Sequence, residues 1–184
     1  MLNFSKIAKD DFECALLQFL DNHNPESSSV LDVVRNMALV SFTRFSRSSS
    51  LYFSLSHALS TALIGLNILN AMRCRSGVVR PGQIINFMAA VLFCNIGVLR
   101  GILEEDEDNN QRISADETEN IVYDYTDSSL WKYKSFRSKK YIQDLSFLDS
   151  NINMEIVGRA IEYSDFTQPF HRSRNEVGEI AKYV

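Results

Sequence analysis

Three side chains, Asn86, Cys94 and Asn95, interrupt the most apolar stretch of this chain. Cys94 and Asn95 lie near the end of residues 84–101, which read IINFMAAVLFCNIGVLRG, and His57 lies in a second uncharged stretch, residues 51–72. A purely structural core helix would carry aliphatic side chains at such positions, whereas buried polar groups need partners or ligands. Cys94 and Asn95, together with His57, are therefore the first candidates for function.

The element that must position this pair is a central helix. Apolar residues cover its whole circumference, which is typical of a helix that is buried on every side. Pro81 and Gly82 suit the turn that begins it, and Gly97 and Gly101 suit the turn that ends it. We therefore expect one helix that runs through residues 84–101 in the middle of the fold.

The rest of the chain also reads as helices. Apolar residues recur at helical spacing in residues 5–22, 27–44, 51–72, 128–148 and 153–163, and a short helical tail is expected at 175–184. The chain between the central helix and residue 128 is acidic and has no clean period, which predicts a long acidic surface loop, and no pair of strands is evident. The prediction is an all-α fold in a single compact domain, residues 1–184, with N-terminal helices at 1–50, a core at 51–170 and a C-terminal tail at 171–184.

Composition limits the classes of function. The 184 residues are 45% hydrophobic, enough for one well-buried core, and the net charge of -4 gives no general attraction to nucleic acid or anionic lipid. Cys14, Cys74 and Cys94 form an odd set without zinc-finger spacing, and the N-terminus lacks the apolar run of a signal peptide, so we expect a cytoplasmic protein. Residues 51–72 are long enough to span a bilayer, but their Ser, Asn and His residues favour a buried helix of a soluble core.

Several short motifs together resemble the HD-domain superfamily of metal-dependent phosphohydrolases. His57 on an uncharged helix is followed by Phe-Cys-Asn-Ile-Gly at residues 93–97, where the family has an apolar residue and His-Asp-Ile-Gly. Residues 96–101, Ile-Gly-Val-Leu-Arg-Gly, are similar to the Ile-Gly-Tyr-Val-Arg-Gly of a bacterial HD subfamily. Residues 127–130 and 133–137 are similar to its Asp-Ala-x-Leu and Tyr-His-Val-Asp-Arg. The resemblance covers residues 51–169 and implies an HD-like helical fold.

The resemblance implies a metal site that has lost most of its ligands. His57 matches a family histidine, but Cys94 and Asn95 stand where the family has a histidine and a metal-bridging aspartate. Lys134 stands where the family has a later histidine, and Asp165 lies near its final aspartate. A neutral amide offers one weak oxygen donor, and a protonated ammonium repels a cation. We expect no cofactor and a hydrogen-bonded remnant of the site, with a divalent metal ion as the alternative if the site is still active.

A second candidate site is a calcium loop in the acidic segment. Gln111 stands at the sixth position of this loop, where an EF-hand needs glycine for its sharp turn, and no second loop is present to pair with it. An acidic solvated loop is therefore the favoured interpretation of residues 106–117. The oxygen-bearing residues at EF-hand positions one, three, five, nine and twelve are Asp106, Asp108, Asn110, Ser114 and Glu117.

Basic residues in the second half of the chain form a third candidate. Arg100 would join this cluster if the fold brought both segments to one mouth. The cluster consists of Lys132, Lys134, Arg137, Lys139 and Lys140, with Trp131 and Tyr133 interleaved. Such a cluster can hold the phosphates of a nucleotide, although a basic run is more often the solvated face of a helix.

Together these patterns predict a degenerate HD-like protein that acts as a non-catalytic ligand-binding or protein-interaction module. A metal-dependent nucleotide or phosphate-ester phosphohydrolase with a modified metal site is the first alternative, and a calcium-responsive interaction protein is the second. The expected partner is a protein or a small phosphorylated ligand, with a homo-oligomer as a further option. Neither nucleic acid nor a membrane is expected.

Overall fold

A computed structural model describes residues 4–21, 27–107, 110–120, 126–145 and 152–165. The prediction of an all-α fold in one compact domain is confirmed. The predicted tail at residues 171–184 lies outside the described residues. The α-helices are α1 (Phe4–Asp21), α2 (Ser27–Phe45), α3 (Leu55–Ser76), α4 (Pro81–Phe93), α5 (Lys134–Asp144) and α6 (Met154–Tyr163). The 3₁₀ segments are Ile96–Val98 and Asp127–Tyr133, and a hairpin consists of β1 (Asn110–Arg112) and β2 (Thr118–Asn120).

Helix α4 is the centre of the fold, as its apolar circumference predicts. It contacts α2, α3 and α6, and its residues Met88, Ala89 and Phe93 are completely buried. Helix α1 covers α2 and α3, with the rings of Phe12 and Phe42 packed edge to face at 5.5 Å between centroids. The polar Asn86 of α4 also contributes to packing. Its Oδ1 accepts a hydrogen bond from the backbone N–H of Asn153, just before α6.

The central helix ends earlier than the sequence predicts. Its last regular hydrogen bond joins Cys94 N to Ala90 O at 2.9 Å, and the backbone then turns into the 3₁₀ segment Ile96–Val98. Two hydroxyl groups bind carbonyls that the terminated helix leaves open: Ser41 Oγ donates to Leu92 O, and Ser138 Oγ donates to Cys94 O. The prediction of one helix through residues 84–101 is therefore wrong in its last turns.

Gly97 is needed for close packing against α5 rather than for ending a helix. A Cβ atom at this position would lie 2.7 Å from Ser138 N and 2.9 Å from Arg137 Cβ, and closer still to the backbone oxygen of Lys134. The missing side chain lets Gly97 N donate to Ser138 Oγ at 2.9 Å. The turn after α4 is thereby held directly against the first residues of α5.

The serine residues before α3 have two different roles. Ser54 is the N-cap, and its Oγ accepts a hydrogen bond from the backbone N–H of His57. The preceding serines instead bind Asp127, whose Oδ2 accepts from Ser48 Oγ and Ser49 N. Asp127 is buried and also accepts from the backbone N–H of Arg100, so it joins the loop after α2 to the loop after α4.

The segment predicted as a long irregular acidic loop contains the hairpin. Its strands pair antiparallel, with Gln111 opposite Glu119, and Gln111 is 1% exposed. The prediction that no strands form is therefore wrong here. The sequence does not reveal these strands, because each has only three residues. All of their side chains are polar, so no alternation of apolar and polar residues is present.

Within the described residues, two helical segments are long and apolar enough to cross a membrane, by length and composition only. In the segment Pro81–Val98, 56% of the most apolar window is buried, as expected of a core helix. In α3 that share is 28%. Much of α3 therefore lies at the surface although it has few charged residues.

Candidate functional site

The start of α3, the end of α4, the start of α5 and the end of α6 meet around the side chain of Lys134. His57 lies in the first turn of α3, Cys94 and Asn95 follow the last residue of α4, and Asp165 follows α6. Lys134 donates to Asn95, Asn95 contacts His57, and Cys94 and Asp165 lie close enough to Lys134 to influence its pKa. The structure thus brings together the five residues that stand at metal-site positions in the resemblance to HD domains.

Lys134 provides the cation of this site. The residue is 2% exposed, and its Nζ donates to Asn95 Oδ1 at 3.4 Å and to the backbone oxygen of Ser164 at 3.2 Å. Nζ also lies 4.6 Å from the centroid of the Trp131 ring, in the range of a cation–π contact. Two carbonyl-type oxygens and one aromatic face therefore surround a nitrogen that carries three hydrogens.

The contacts of Lys134 fix the orientation of Asn95 and the tautomer of His57. An ammonium group can only donate, so Asn95 Oδ1 must face Lys134, and Asn95 Nδ2 then faces His57 Nε2 at 3.4 Å. Since Nδ2 is a donor, His57 Nε2 accepts and the imidazole proton resides on Nδ1. This contact agrees with the expectation that the polar groups at these positions bind one another, and Asn95 is half-buried because it lies just beyond α4.

Burial dominates the acid–base properties of the site. Burial lowers the pKa of Lys134, while attraction to Cys94 and Asp165 partly restores it. Burial also lowers the pKa of His57, which agrees with its role as an acceptor, and raises the pKa of the Cys94 thiol. Asp165 is itself buried, and its Oδ2 accepts a hydrogen bond from Ser135 Oγ at 2.7 Å. The carboxylate is thus held in place close to the ammonium.

Aromatic rings form one side of the site. The ring of Tyr52 packs on His57 at 4.6 Å between centroids, and Phe53 meets His57 edge to face at 5.8 Å. Phe53 is stacked on Trp131 at 5.4 Å, which links these rings to Lys134. The sequence analysis did not identify Tyr52 and Phe53 as part of the site. The one feature that could have indicated them is that they form an aromatic pair directly before Ser54, the N-cap of the helix that carries His57.

The donor atoms of this site do not fit a divalent metal ion. Asn95 Oδ1 faces an ammonium group, and the lone pair of His57 Nε2 faces the Asn95 amide. Within the residues that the structure describes, no group of three or more His, Cys, Asp or Glu side chains is placed to hold a metal. A bound metal would require Lys134 to leave and Asn95 to turn.

Arg137 does not belong to a phosphate-binding surface. Its side chain is fully buried in a bidentate ion pair, with Nη1 2.9 Å from Asp106 Oδ1 and Nη2 2.8 Å from Asp106 Oδ2. The remaining donors bind backbone oxygens, among them Gly97 O from Nε and Leu99 O from Nη2. The sequence interpretation of Arg137 as an exposed cation is therefore wrong, because an acidic partner far along the chain compensates its burial.

The other basic candidates have separate surroundings. Lys139 pairs with Glu162, and Lys140 lies 2.8 Å from Asp144 and 3.6 Å from Glu105. Arg100 is half-buried, and its backbone N–H donates to the buried Asp127. Each of these two lysines is thus paired with a carboxylate of the chain, and the buried Arg137 does not join them at the surface.

The arrangement of an EF-hand loop is not present in the described part of residues 106–117. Asp106 uses its carboxylate on Arg137 and on three backbone N–H groups. Gln111 is buried, where it accepts from Gly101 N and donates to Glu107 O. Asn110 lies in β1, and Ser114 N donates to Glu117 O across the hairpin turn. Asp108 lies outside the described residues. The alternative of a calcium loop is therefore wrong for this segment, because Asp106 forms an ion pair with Arg137 where an EF-hand would bind calcium.

Comparison with known proteins identifies relatives only at the level of a family. No curated protein and no solved structure matches the chain. The Npun_R2479-like family matches residues 6–184, which is nearly the whole sequence and includes every residue of the site described above. The chain therefore belongs to the Npun_R2479-like family.

Proposed function

We propose that this protein is a non-catalytic HD-like domain in which the Lys134 ammonium takes the position of a metal ion. One observation carries the proposal: Lys134 Nζ lies 3.4 Å from Asn95 Oδ1, although 39 residues separate them in the chain. In the resemblance to HD domains, both residues stand at positions of metal ligands. A lysine side chain that binds at such a point supplies a positive charge without needing an ion from solution.

This exchange removes the chemistry that a metal ion would supply. A divalent ion in a hydrolase lowers the pKa of a bound water and polarises a phosphoryl oxygen. An ammonium group has no open coordination position, and Lys134 already donates to Asn95 Oδ1 and Ser164 O. His57 Nε2 accepts from the Asn95 amide and is not available to activate water. Binding, of a small ligand or of a protein, is then the function that remains.

Metal titration tests this proposal. Purified protein stripped with a chelator is titrated by calorimetry with Mn²⁺, Zn²⁺ and Mg²⁺, and hydrolysis of nucleotides and phosphate esters is assayed in parallel. We expect no stoichiometric binding and no metal-dependent turnover. One equivalent of metal that is lost together with turnover in His57→Ala would overturn the proposal and favour a phosphohydrolase with a modified site.

A reverse substitution tests the assignment of the positions. The triple variant Cys94→His, Asn95→Asp and Lys134→His restores the family's residue types next to His57. It should bind one divalent ion, whereas the double variant that retains Lys134 should not, because the ammonium stays in place. A triple variant that folds by circular dichroism and still binds no metal would show that the HD register at these positions is wrong.

A further inference from the structure

The exposed face of α3 has no charged side chain over most of its length. Residues 55–72 contain no Asp, Glu, Lys or Arg, although 23% of the whole chain is charged. The exposed positions recur at helical spacing, so they form one continuous strip along the helix. The strip consists of Ser56, Ser60, Ile64, Asn67, Ile68, Asn70 and Ala71. Depletion of charge is what separates the centres of protein interfaces from ordinary surface.

Large exposed apolar side chains flank this strip in the chain, before and after α3. Leu51 is 99% exposed and Tyr52 65% exposed just before α3, and Val78 is 73% exposed just after it. Ile64, 58% exposed, lies almost midway between Leu51 and Val78 in the chain. A strip with apolar ends and an apolar centre is complementary to itself when two copies run antiparallel.

We infer that the α3 strip is the interface of a two-fold symmetric homodimer. In such a dimer Ile64 meets Ile64 of the second copy near the axis, and Leu51 and Tyr52 of each copy lie against Val78 of the other. Each residue near a two-fold axis meets its own copy, so a charge there would face a like charge. Because the strip carries no charge, two copies of a chain with a net charge of -4 can approach along it without placing like charges in contact.

Other occupants fit this strip less well. Nucleic acid and anionic lipid headgroups are bound by Lys and Arg, which the strip lacks. The hydrocarbon of a bilayer would have to accept Ser56, Ser60 and Asn67 at a high cost in free energy. Serine and asparagine are acceptable in a protein interface, where they find hydrogen-bond partners or trapped water.

The size of the strip sets the strength that we expect. A helix of 22 residues is about 33 Å long, and one helix face buries less than the roughly 800 Å² per partner of a standard interface. The dimer should therefore dissociate in the micromolar range and must be measured over a range of concentrations.

Sedimentation equilibrium of the full chain, from about 1 to 200 µM, tests this inference. Wild type should form a reversible dimer, and Ile64→Lys should raise its dissociation constant by more than about tenfold, because two ammonium groups would face each other. Leu39→Lys is the matched control, since Leu39 is an exposed apolar residue of α2, 47% exposed, outside the strip. It should leave the dissociation constant unchanged.

A charge-swap mixture locates the two-fold axis. At concentrations where wild type is mostly dimeric, Ile64→Lys and Ile64→Glu should each be mostly monomeric, and an equimolar mixture should recover the dimer as a heterodimer. A monomeric wild type at all concentrations would overturn the inference, as would a dimer that Ile64→Lys leaves intact. A mixture that stays monomeric would overturn the placement of Ile64 at the axis. Binding of monomeric wild type to phosphatidylcholine vesicles would show that a membrane is the occupant instead.

Discussion

Replacement of Lys134 by methionine isolates the contribution of its ammonium group. Methionine keeps the unbranched, apolar stem of lysine but has no hydrogen to donate. In the variant, Asn95 Oδ1 and Ser164 O each lose their donor, and the Trp131 ring loses its cation. The change therefore acts on the partners of the ammonium and not on the packing of the stem.

The magnitude follows from two opposing effects. An acceptor left unpaired in a buried site costs about 1–3 kcal/mol, and a cation–π contact adds about 0.5–1 kcal/mol. Against this, the variant avoids the burial of a charge, which is the effect that lowers the pKa of Lys134. Asn95 and Ser164 are also half-buried, so water can reach them in part. We expect a net loss of about 1–2 kcal/mol in the free energy of unfolding.

The pH dependence of this loss has a defined sign. Because the pKa of Lys134 is lowered in the folded state, the cost of the buried charge is fully present below that pKa. The cost is relieved as the pH rises from the lowered pKa toward the usual lysine value of about 10.4. The advantage of wild type over Lys134→Met should therefore grow in this alkaline range, where methionine has nothing to titrate.

The assay can observe the site directly, because Trp131 is the single tryptophan of the chain. Urea unfolding followed by circular dichroism gives the stability, and indole fluorescence of the folded state reports the loss of the neighbouring cation. Lys132→Met is the matched control, since the Nζ of Lys132 also lies 4.6 Å from an aromatic ring, that of Tyr133, but the residue is exposed. It should change the stability by less than about 0.5 kcal/mol.

Chemical rescue separates the charge from the shape. Lys134→Ala leaves space where the side chain was, and added propylammonium should raise its unfolding temperature more than the neutral propanol does. If Lys134→Met were as stable as wild type with unchanged Trp131 fluorescence, the ammonium would not organise this site. Equal rescue by the ammonium and the alcohol would show that only volume matters.

Two other contacts of α5 lead to predictions of the same kind. Burial alone would raise the pKa of Asp106, but the hydrogen bonds and charge of Arg137 outweigh it and hold that pKa below its usual value. The stabilisation is complete at pH values above the pKa of Asp in the unfolded chain, about 3.9, and it is lost as the pH falls through the lowered pKa of the folded state. The difference in stability between wild type and Asp106→Asn, measured by urea unfolding, should therefore shrink only below about pH 4. Gly97→Ala should cost about 1–3 kcal/mol and lower the thermal midpoint by several degrees, because its Cβ would lie 2.7 Å from Ser138 N. Gly82→Ala is its control and should be neutral, since an added Cβ there has no atom within 4 Å.

The helices and the residues that meet at the site could be predicted from the sequence. Apolar periodicity locates most helices within a few residues, because burial of one face decides where a helix packs. His57, Asn95 and Lys134 could be grouped only because short motifs resemble a family in which those positions converge. No local sequence pattern predicts the contact between Asn95 and Lys134, which are 39 residues apart in the chain.

The errors have a common physical origin in long-range polar contacts. Arg137 looks exposed because arginine usually is, and its burial depends on Asp106, 31 positions earlier in the chain. The end of α4 at Phe93 depends on hydroxyl groups of Ser41 and Ser138, which lie on other helices. Such contacts leave no period in the sequence, so a reading of local patterns misses them.

Helix α5 presents two buried cations, and their separate partners explain how this fold remains ordered. Lys134 binds Asn95 and Ser164, whereas Arg137, one turn later, binds Asp106 and the backbone after α4. On the proposal above, loss of a metal ion would leave polar groups at the end of α4 without a partner, at a cost of about 1–3 kcal/mol each. A lysine at the start of α5 provides that partner from within the chain, because Gly97 already holds α5 against the turn that carries Asn95. On that proposal, the stability of the domain does not depend on a bound metal ion.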